Sequence, residues 1–220
     1  MTTVVVTGCN RGIGFELVRQ LKARGDEVIG TCRETTDPLN SLGIEVIGNI
    51  DVCDDEAAEN LSQQLAGRSI DILVNNAGIL RQDRLNSIDY ESMLDQYRVN
   101  TLGPLRITHA LLDNLGQGSK VGIITSRVGS IEDNSSGNNY GYRCSKAAAN
   151  MVGMNLHHDL SALGIAVAIL HPGYVKTDMT GGSGMITPLE SAQGLIKCLD
   201  QLDLESSGQF WHANGEMLPW

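Results

Sequence analysis

Short, unbroken apolar runs alternate with longer stretches of helical spacing along the whole chain, and this alternation restricts the possible folds more than any other feature. The runs predict strands at Thr3–Thr7, Glu27–Cys32, Glu45–Ile50, Ile70–Val74, Lys120–Thr125, Ile165–Leu170 and Gln209–His212. Between them the spacing predicts helices over Ile13–Arg24, Asp55–Ala66, Tyr90–Leu115, Tyr140–Ala162 and Pro188–Leu202. Runs such as Val4-Val5-Val6 and Ile72-Leu73-Val74 do not alternate apolar with polar, as expected of strands covered by helices on both faces. A repeated strand–helix order predicts an α/β fold, a doubly wound parallel sheet of about seven strands with helices on both faces. No linker, repeat or charge block divides the 220 residues, so residues 1–220 are expected to form a single domain.

In such sheets the ligand lies beyond the carboxyl ends of the strands. The first strand runs into Thr7-Gly8-Cys9-Asn10-Arg11-Gly12-Ile13-Gly14. Glycine at Gly8, Gly12 and Gly14 permits a tight turn, lets backbone approach a pyrophosphate and allows the next helix to pack closely on the sheet. The spacing is longer than the Gly-x-Gly-x-x-Gly fingerprint of the wider dinucleotide folds. Arg33 follows the second strand, Asp51-Val52 the third, Asn75-Asn76-Ala77-Gly78 the fourth, Ser126 the fifth and Pro172-Gly173 the sixth. Polar and glycine residues therefore gather on one rim, where a dinucleotide would lie.

Charge on that rim points to the form of the cofactor. NAD sites place an acid at the end of the second strand for the ribose 2′-hydroxyl, whereas this chain reads Thr31-Cys32-Arg33. Arg11 and Arg33 border the same expected pocket, and two guanidinium forks suit a 2′-phosphate. NADP (NADPH) is expected in preference to NAD. Asp51 has two open roles, accepting from the adenine amino group or capping the helix that starts near Asp54.

The run Tyr142-Arg143-Cys144-Ser145-Lys146 lies in an expected helix. Residues four apart share a face, so the phenol and the ammonium can converge. A cation beside a phenol is expected to lower its pKa from about 10 and make it a usable proton donor or acceptor. Tyr140 competes for this role, but four residues after it stands Cys144, which carries no cation.

Taken together, Thr7-Gly8-x-x-x-Gly12-x-Gly14, Asn75-Asn76-Ala77-Gly78, Asn100, Ser126, Tyr142-x-x-x-Lys146 and Pro172-Gly173-x-x-x-Thr177 resemble the short-chain dehydrogenase/reductase family over nearly the whole chain. The C-terminal Ser207-Gly208-x-Phe210 and Gly215-Glu216-x-Leu218-Pro219-Trp220 are similar to the C-factor and sniffer-type carbonyl reductase branch. The resemblance implies a single-domain Rossmann fold and an NADP-dependent oxidoreductase acting on a carbonyl or secondary alcohol. It implies that Tyr142 moves the proton, that Lys146 lowers its pKa and holds the nicotinamide ribose, and that Ser126 holds the substrate carbonyl. Asn100 would sit in a helix kink and carry a water linking Lys146 to solvent. Gly8, Asn10, Arg11, Gly12, Ile13, Gly14, Arg33, Asp51, Val52, Asn75, Ala77 and Gly78 would line the cofactor, together with Tyr142 and Lys146. Pro172, Gly173, Val175 and Thr177 would fix its carboxamide. The long helices Tyr90–Leu115 and Tyr140–Ala162 would pair across a two-fold axis, giving a homo-oligomer (dimer or tetramer).

Two departures from the family pattern stand out. Ser126 precedes Tyr142 by more residues than is usual, which makes Ser130 a competitor; Ser126 is preferred because it directly ends the fifth strand. Asp178–Thr187 is a short glycine-rich loop where relatives carry a helical lid, which predicts an open pocket and loose selectivity.

Composition narrows the partners. A net charge of −10 argues against nucleic acid or anionic membrane. No apolar run approaches the roughly 20 residues of a membrane span, and no signal sequence is evident. The five cysteines are scattered and odd in number, as expected of reduced thiols in a cytoplasmic protein, and no metal site is expected. His157 and His158 point to different helix faces and read as surface or interface groups, while Trp211 and Trp220 read as packing at the sheet's end. A dinucleotide-binding regulator stays open as an alternative, because the resemblance to the C-factor branch implies a link to developmental signalling. A nucleotide-sugar epimerase would need chain for a sugar-binding domain that is missing here.

Overall fold

In the computed structural model, which describes residues 1–220, seven parallel strands form one sheet in the order β3-β2-β1-β4-β5-β6-β7. They are β1 (Thr3–Thr7), β2 (Glu27–Thr31), β3 (Glu45–Ile47), β4 (Ile72–Asn75), β5 (Lys120–Ile124), β6 (Ala166–His171) and β7 (Phe210–His212). The order reverses between β1 and β4, whose register pairs Val4 with Ile72 and Val6 with Val74. A crevice therefore opens above these two strands, and it is there that the glycine turn and Asn76–Gly78 emerge.

Alternate residues of each strand enter opposite layers. Val4 and Val6 pack with α1 (Gly12–Arg24) and α7 (Pro188–Gln201), while Val5 packs with α3 (Asp55–Gln64), α5 (Gly103–Ala110) and α6 (Tyr140–Ser161). Burial on both faces is why these strands carry no polar alternation. Local signals set several helix ends. Asp54 accepts from Glu56 N at 3.0 Å to cap α3. Thr187 and Glu190 form a capping box at α7, with Pro188 in its first turn.

Two expectations change. The helix expected over Tyr90–Leu115 is interrupted: α4 (Tyr90–Tyr97) passes into a π-helical turn, Arg98–Leu102, before α5 resumes. Pro104 withholds an N–H near the start of α5. Gly103 lies against Val52, so that a Cβ there would come within 2.9 Å of Val52 Cγ2. Asn100 lies within this turn and is buried. The second change is a short helix, α2 (Asp37–Asn40), in a segment with no predicted element. No helix is long and apolar enough to cross a membrane.

Candidate active site

The crevice is built from its floor upward by hydrogen bonds between two loops. Thr7 Oγ1 accepts from Asn76 N at 3.0 Å and Ala77 N at 3.1 Å, and Asn76 Nδ2 donates to Thr7 O at 2.9 Å and Gly8 O at 3.1 Å. Gly8 takes a φ of 66°, and a Cβ on it would lie 2.8 Å from Ala77 Cα. The turn is thus pressed against the end of β4 with no room for a side chain. Helix α1 starts at Gly12 with no side-chain cap and no acid in its first turn. Its free N–H groups and dipole suit a pyrophosphate. The residues present therefore fit a dinucleotide.

Gly8, Asn10, Arg11, Gly12, Ile13, Gly14, Arg33, Asp51, Val52, Ala77, Gly78, Tyr142, Lys146, Pro172 and Thr177 all line this one crevice. Asn75, Asn100, Ser126, Gly173 and Val175 are not part of its wall. Asn75 needs correction: its amide is buried and donates to Thr108 Oγ1 at 3.0 Å in the core. Strand alternation turns Asn75 inward and brings Asn76 to the crevice instead. Gly173 and Val175 lie between Pro172 and Thr177 in the chain, with Ile186 close to Gly173 and bridged to Val175. The sequence reading missed the apolar wall at Cys32, Ile50, Ile79, Val99, Ile124 and Met179. Nothing in these residue types marks them, because only the crossing of separate loops makes them neighbours.

At one end of the crevice both arginines stand in ion pairs. Arg11 Nη1 lies 3.1 Å from Asp178, and Arg33 Nη1 lies 3.8 Å from Asp51. All four side chains are well exposed, so these pairs are weak and a phosphate can displace them. Asp51 is not the helix cap, which is Asp54; it accepts from Cys53 N at 2.9 Å.

At the other end Lys146 is buried and its Nζ donates to Ile124 O at 2.9 Å, 5.7 Å from the centre of the Tyr142 ring. The expectation that the cation acidifies the phenol is overturned for the protein's own groups. Burial pushes Tyr142 up to about 12, with a Ser126 hydrogen bond pulling the other way. Burial also pushes Lys146 down to about 8. One cause acts on both, since loss of hydration penalises phenolate and ammonium alike.

A pH signature follows from the buried lysine. Its folded pKa of about 8 lies below the ordinary 10.5, so the unfolded chain binds more protons between those values. The wild type is therefore expected to gain stability relative to Lys146→Met as pH rises from about 8 to 10.5. The slope is on the order of 1.4 kcal/mol per pH unit inside that window. Chemical denaturation at a series of pH values checks this, and a difference that stays flat across the window refutes it.

Ser126 is buried, two residues beyond the end of β5, where it begins the short turn Arg127–Gly129. Its competitor Ser130 is committed elsewhere, donating to Trp220 O at 3.0 Å and accepting from Asp133 N at 3.0 Å. Trp220 itself stacks on Phe210, as expected of packing at the sheet's end. Asn100 accepts from Ile79 N at 2.8 Å and donates to Ile79 O at 2.9 Å and to Ser145 Oγ at 3.0 Å. Its amide braces α6 against the loop after β4. A Cβ on Gly78 would lie 3.2 Å from Asn100 Oδ1 and 3.6 Å from Lys146 Nζ, so glycine there keeps the three groups close.

Comparison with known proteins finds relatives that cover the whole chain. The chain is 46% identical over 226 aligned residues to 1-hydroxy-2-glutathionyl-2-methyl-3-butene dehydrogenase of a Rhodococcus strain, covering all of both chains. It is 40% identical over 154 residues to the C-signal of Myxococcus xanthus, covering 69% of this chain and 93% of that one. Its fold matches the NADPH-bound carbonyl reductase from chicken fatty liver with a TM-score of 0.88 at 32% identity, over 100% of this chain and 99% of the other. The model of the short chain dehydrogenase family matches residues 2–184. On this match, and on a parallel sheet whose switch point carries the glycine turn, the chain belongs to the short chain dehydrogenase family.

Proposed function

We propose that this protein is an NADP(H)-dependent oxidoreductase that interconverts a carbonyl and an alcohol on a small molecule. The observation that carries the reading is the meeting of Tyr142 and Lys146 with the glycine turn in one crevice. When bound, the nicotinamide dinucleotide supplies or accepts the hydride. The backbone of Gly8–Gly14 holds its pyrophosphate, and Arg11 and Arg33 leave their carboxylates for its 2′-phosphate. The NADPH-bound relative supports this preference.

Ser126 donates a hydrogen bond to the substrate oxygen and orients it. The Tyr142 hydroxyl gives that oxygen its proton in reduction and removes it in oxidation. A phenol held near 12 suits the first role, since it arrives protonated. Lys146, protonated below about pH 8, lends positive charge to the phenol oxygen as its proton leaves. Asn100 fixes the helix turn that carries both, and its place in a water relay to Lys146 is part of the same proposal.

The test is a cofactor assay with NADPH, NADH, NADP and NAD over aldehydes, ketones and alcohols. The panel includes a hydroxyalkyl thioether of glutathione, because the Rhodococcus relative is named for one. Turnover is expected with NADPH or NADP in preference to NADH or NAD, and Arg33→Ala is expected to raise the KM for NADPH at least several-fold more than for NADH. Equal effects on both would remove the role given to Arg33. The likeness to C-signal favours a second reading, a dinucleotide-binding signalling protein. Cofactor binding without turnover of any compound would select it.

A further inference from the structure

Helix α6 carries Tyr142 in its first turn, yet that turn has no cap from its own segment. Gly137, Asn138 and Asn139 precede it with φ values of 63°, 57° and 51°. Asn139, at the N-cap position, makes no side-chain cap. Two successive non-glycine residues in the left-handed region cost free energy and persist only where the surroundings hold them.

The hold comes from another part of the chain. Asp83, between β4 and α4, is 9% exposed. Its Oδ1 accepts from Tyr140 N at 2.6 Å, its Oδ2 from Gly141 N at 2.9 Å, and its main-chain carbonyl from Asn139 N at 3.0 Å. Charge-assisted bonds to a helix N-terminus are strong, and the carboxylate also opposes the helix dipole. Gly141 allows the approach, since a Cβ there would lie 2.5 Å from Gln96 Nε2 and 3.2 Å from Asp83 Oδ2.

Asp83 belongs to the same loop that lines the crevice at Ala77–Ile79. That loop is itself pinned twice before it reaches Asp83. Asn100 clamps both backbone groups of Ile79, and the fully buried Gln96 accepts from Arg81 N at 2.9 Å. A continuous strap thus runs from the cofactor wall to the turn beside the phenol. We propose that Asp83 is a positioning residue, whose carboxylate sets the place of the Tyr142 hydroxyl relative to the cofactor-lining loop. This rests on the oxidoreductase reading above.

The test compares wild type with Asp83→Ala and Asp83→Asn, measuring kcat, NADPH affinity by fluorescence titration, and amide hydrogen exchange over residues 140–143. Asp83→Ala is expected to lower kcat by 10- to 100-fold while the Kd for NADPH changes less than three-fold. Exchange at residues 140–143 is expected to quicken by at least ten-fold, with the strands unaffected. Asp83→Asn keeps one carbonyl acceptor and is expected to recover kcat to within ten-fold of wild type; it carries the test should the alanine variant fail to fold. For Asp83→Ala a kcat within two-fold of wild type overturns the proposal, as does, for either variant, unchanged exchange at residues 140–143 or a loss of NADPH affinity that parallels the loss of kcat. Wild type without turnover on any compound sinks the oxidoreductase reading instead. In that case the exchange data decide the strap alone, and unchanged protection at residues 140–143 overturns it.

Discussion

Tyr142→Phe is expected to lower kcat by about 10²–10⁴-fold, the usual contribution of a positioned acid or base, while NADPH still binds. The variant removes one oxygen and leaves the ring, so the half-buried packing of the first turn of α6 survives. The backbone of the glycine turn and the arginines at the far end of the crevice, which are assigned to the cofactor, are untouched. A loss confined to turnover is therefore the signature of a group that acts in the reaction. Lys146 does not take over, because its Nζ is held on Ile124 O at 2.9 Å and lies 5.7 Å from the ring centre. Ser126 can still orient the substrate oxygen, but without the phenol hydroxyl no group beside it supplies that oxygen's proton. Steady-state kinetics with a cofactor-binding titration separate the two effects. Full retained turnover would remove Tyr142 from the mechanism, and a parallel loss of NADPH binding would make the phenol a cofactor contact instead.

Gly14→Ala is expected to disable the protein at the glycine turn. Alanine is the better helix former, and at a free helical position it would stabilise by up to about 1 kcal/mol. Here the geometry reverses the sign. A Cβ on Gly14 would lie far inside van der Waals contact of the Gly8 carbonyl oxygen and 2.5 Å from Asn76 Nδ2. Neither neighbour is a flexible chain end. Gly8 is fixed by its own bond to Thr31 O at 2.8 Å, and Asn76 is fixed by its bonds to Thr7 and Gly8. Helix α1 must move away from the sheet, which costs about 1–3 kcal/mol as overpacking does. That corresponds to roughly 2–4 °C of Tm for each kcal/mol in a domain of this size. NADPH affinity is expected to fall by at least ten-fold, because the same displacement disturbs the N–H groups assigned to the pyrophosphate. Gly116→Ala is the control: nothing lies within 4 Å of its Cβ position, and its stability is expected to stay within about 0.5 kcal/mol of wild type. An unchanged Tm and Kd in Gly14→Ala would show that the turn has slack that its contacts deny.

The parallel sheet was legible because it depends on periodicity. Unalternated runs such as Val4-Val5-Val6 are satisfied by cover on both faces, which implies parallel strands with helices between them; the order of the strands came from the structure. The phenol–ammonium pair was legible for a similar reason, since four-residue spacing within one helix needs no tertiary information. The π-helical turn at Arg98–Leu102 was not, although Gly103-Pro104 marks the place where a regular helix fails. Asn75 and Asn76 show the limit more sharply. Two identical neighbours at a strand end face opposite ways, so assigning the crevice to one of them required the pleat.

By itself, then, the order of residues determined the layers, the strand whose end opens the crevice, and the pairing of Tyr142 with Lys146 on one helix. Those are properties of spacing along one strand or one helix, and local geometry enforces them. Only the tertiary structure decided what surrounds them. It placed the apolar wall, gave Asp83 to a helix that starts 57 residues later, and moved the protonation of the buried pair in a direction that neighbouring residues alone did not suggest. Hydration governs that last outcome, and how much water reaches a side chain is set by every segment packed around it.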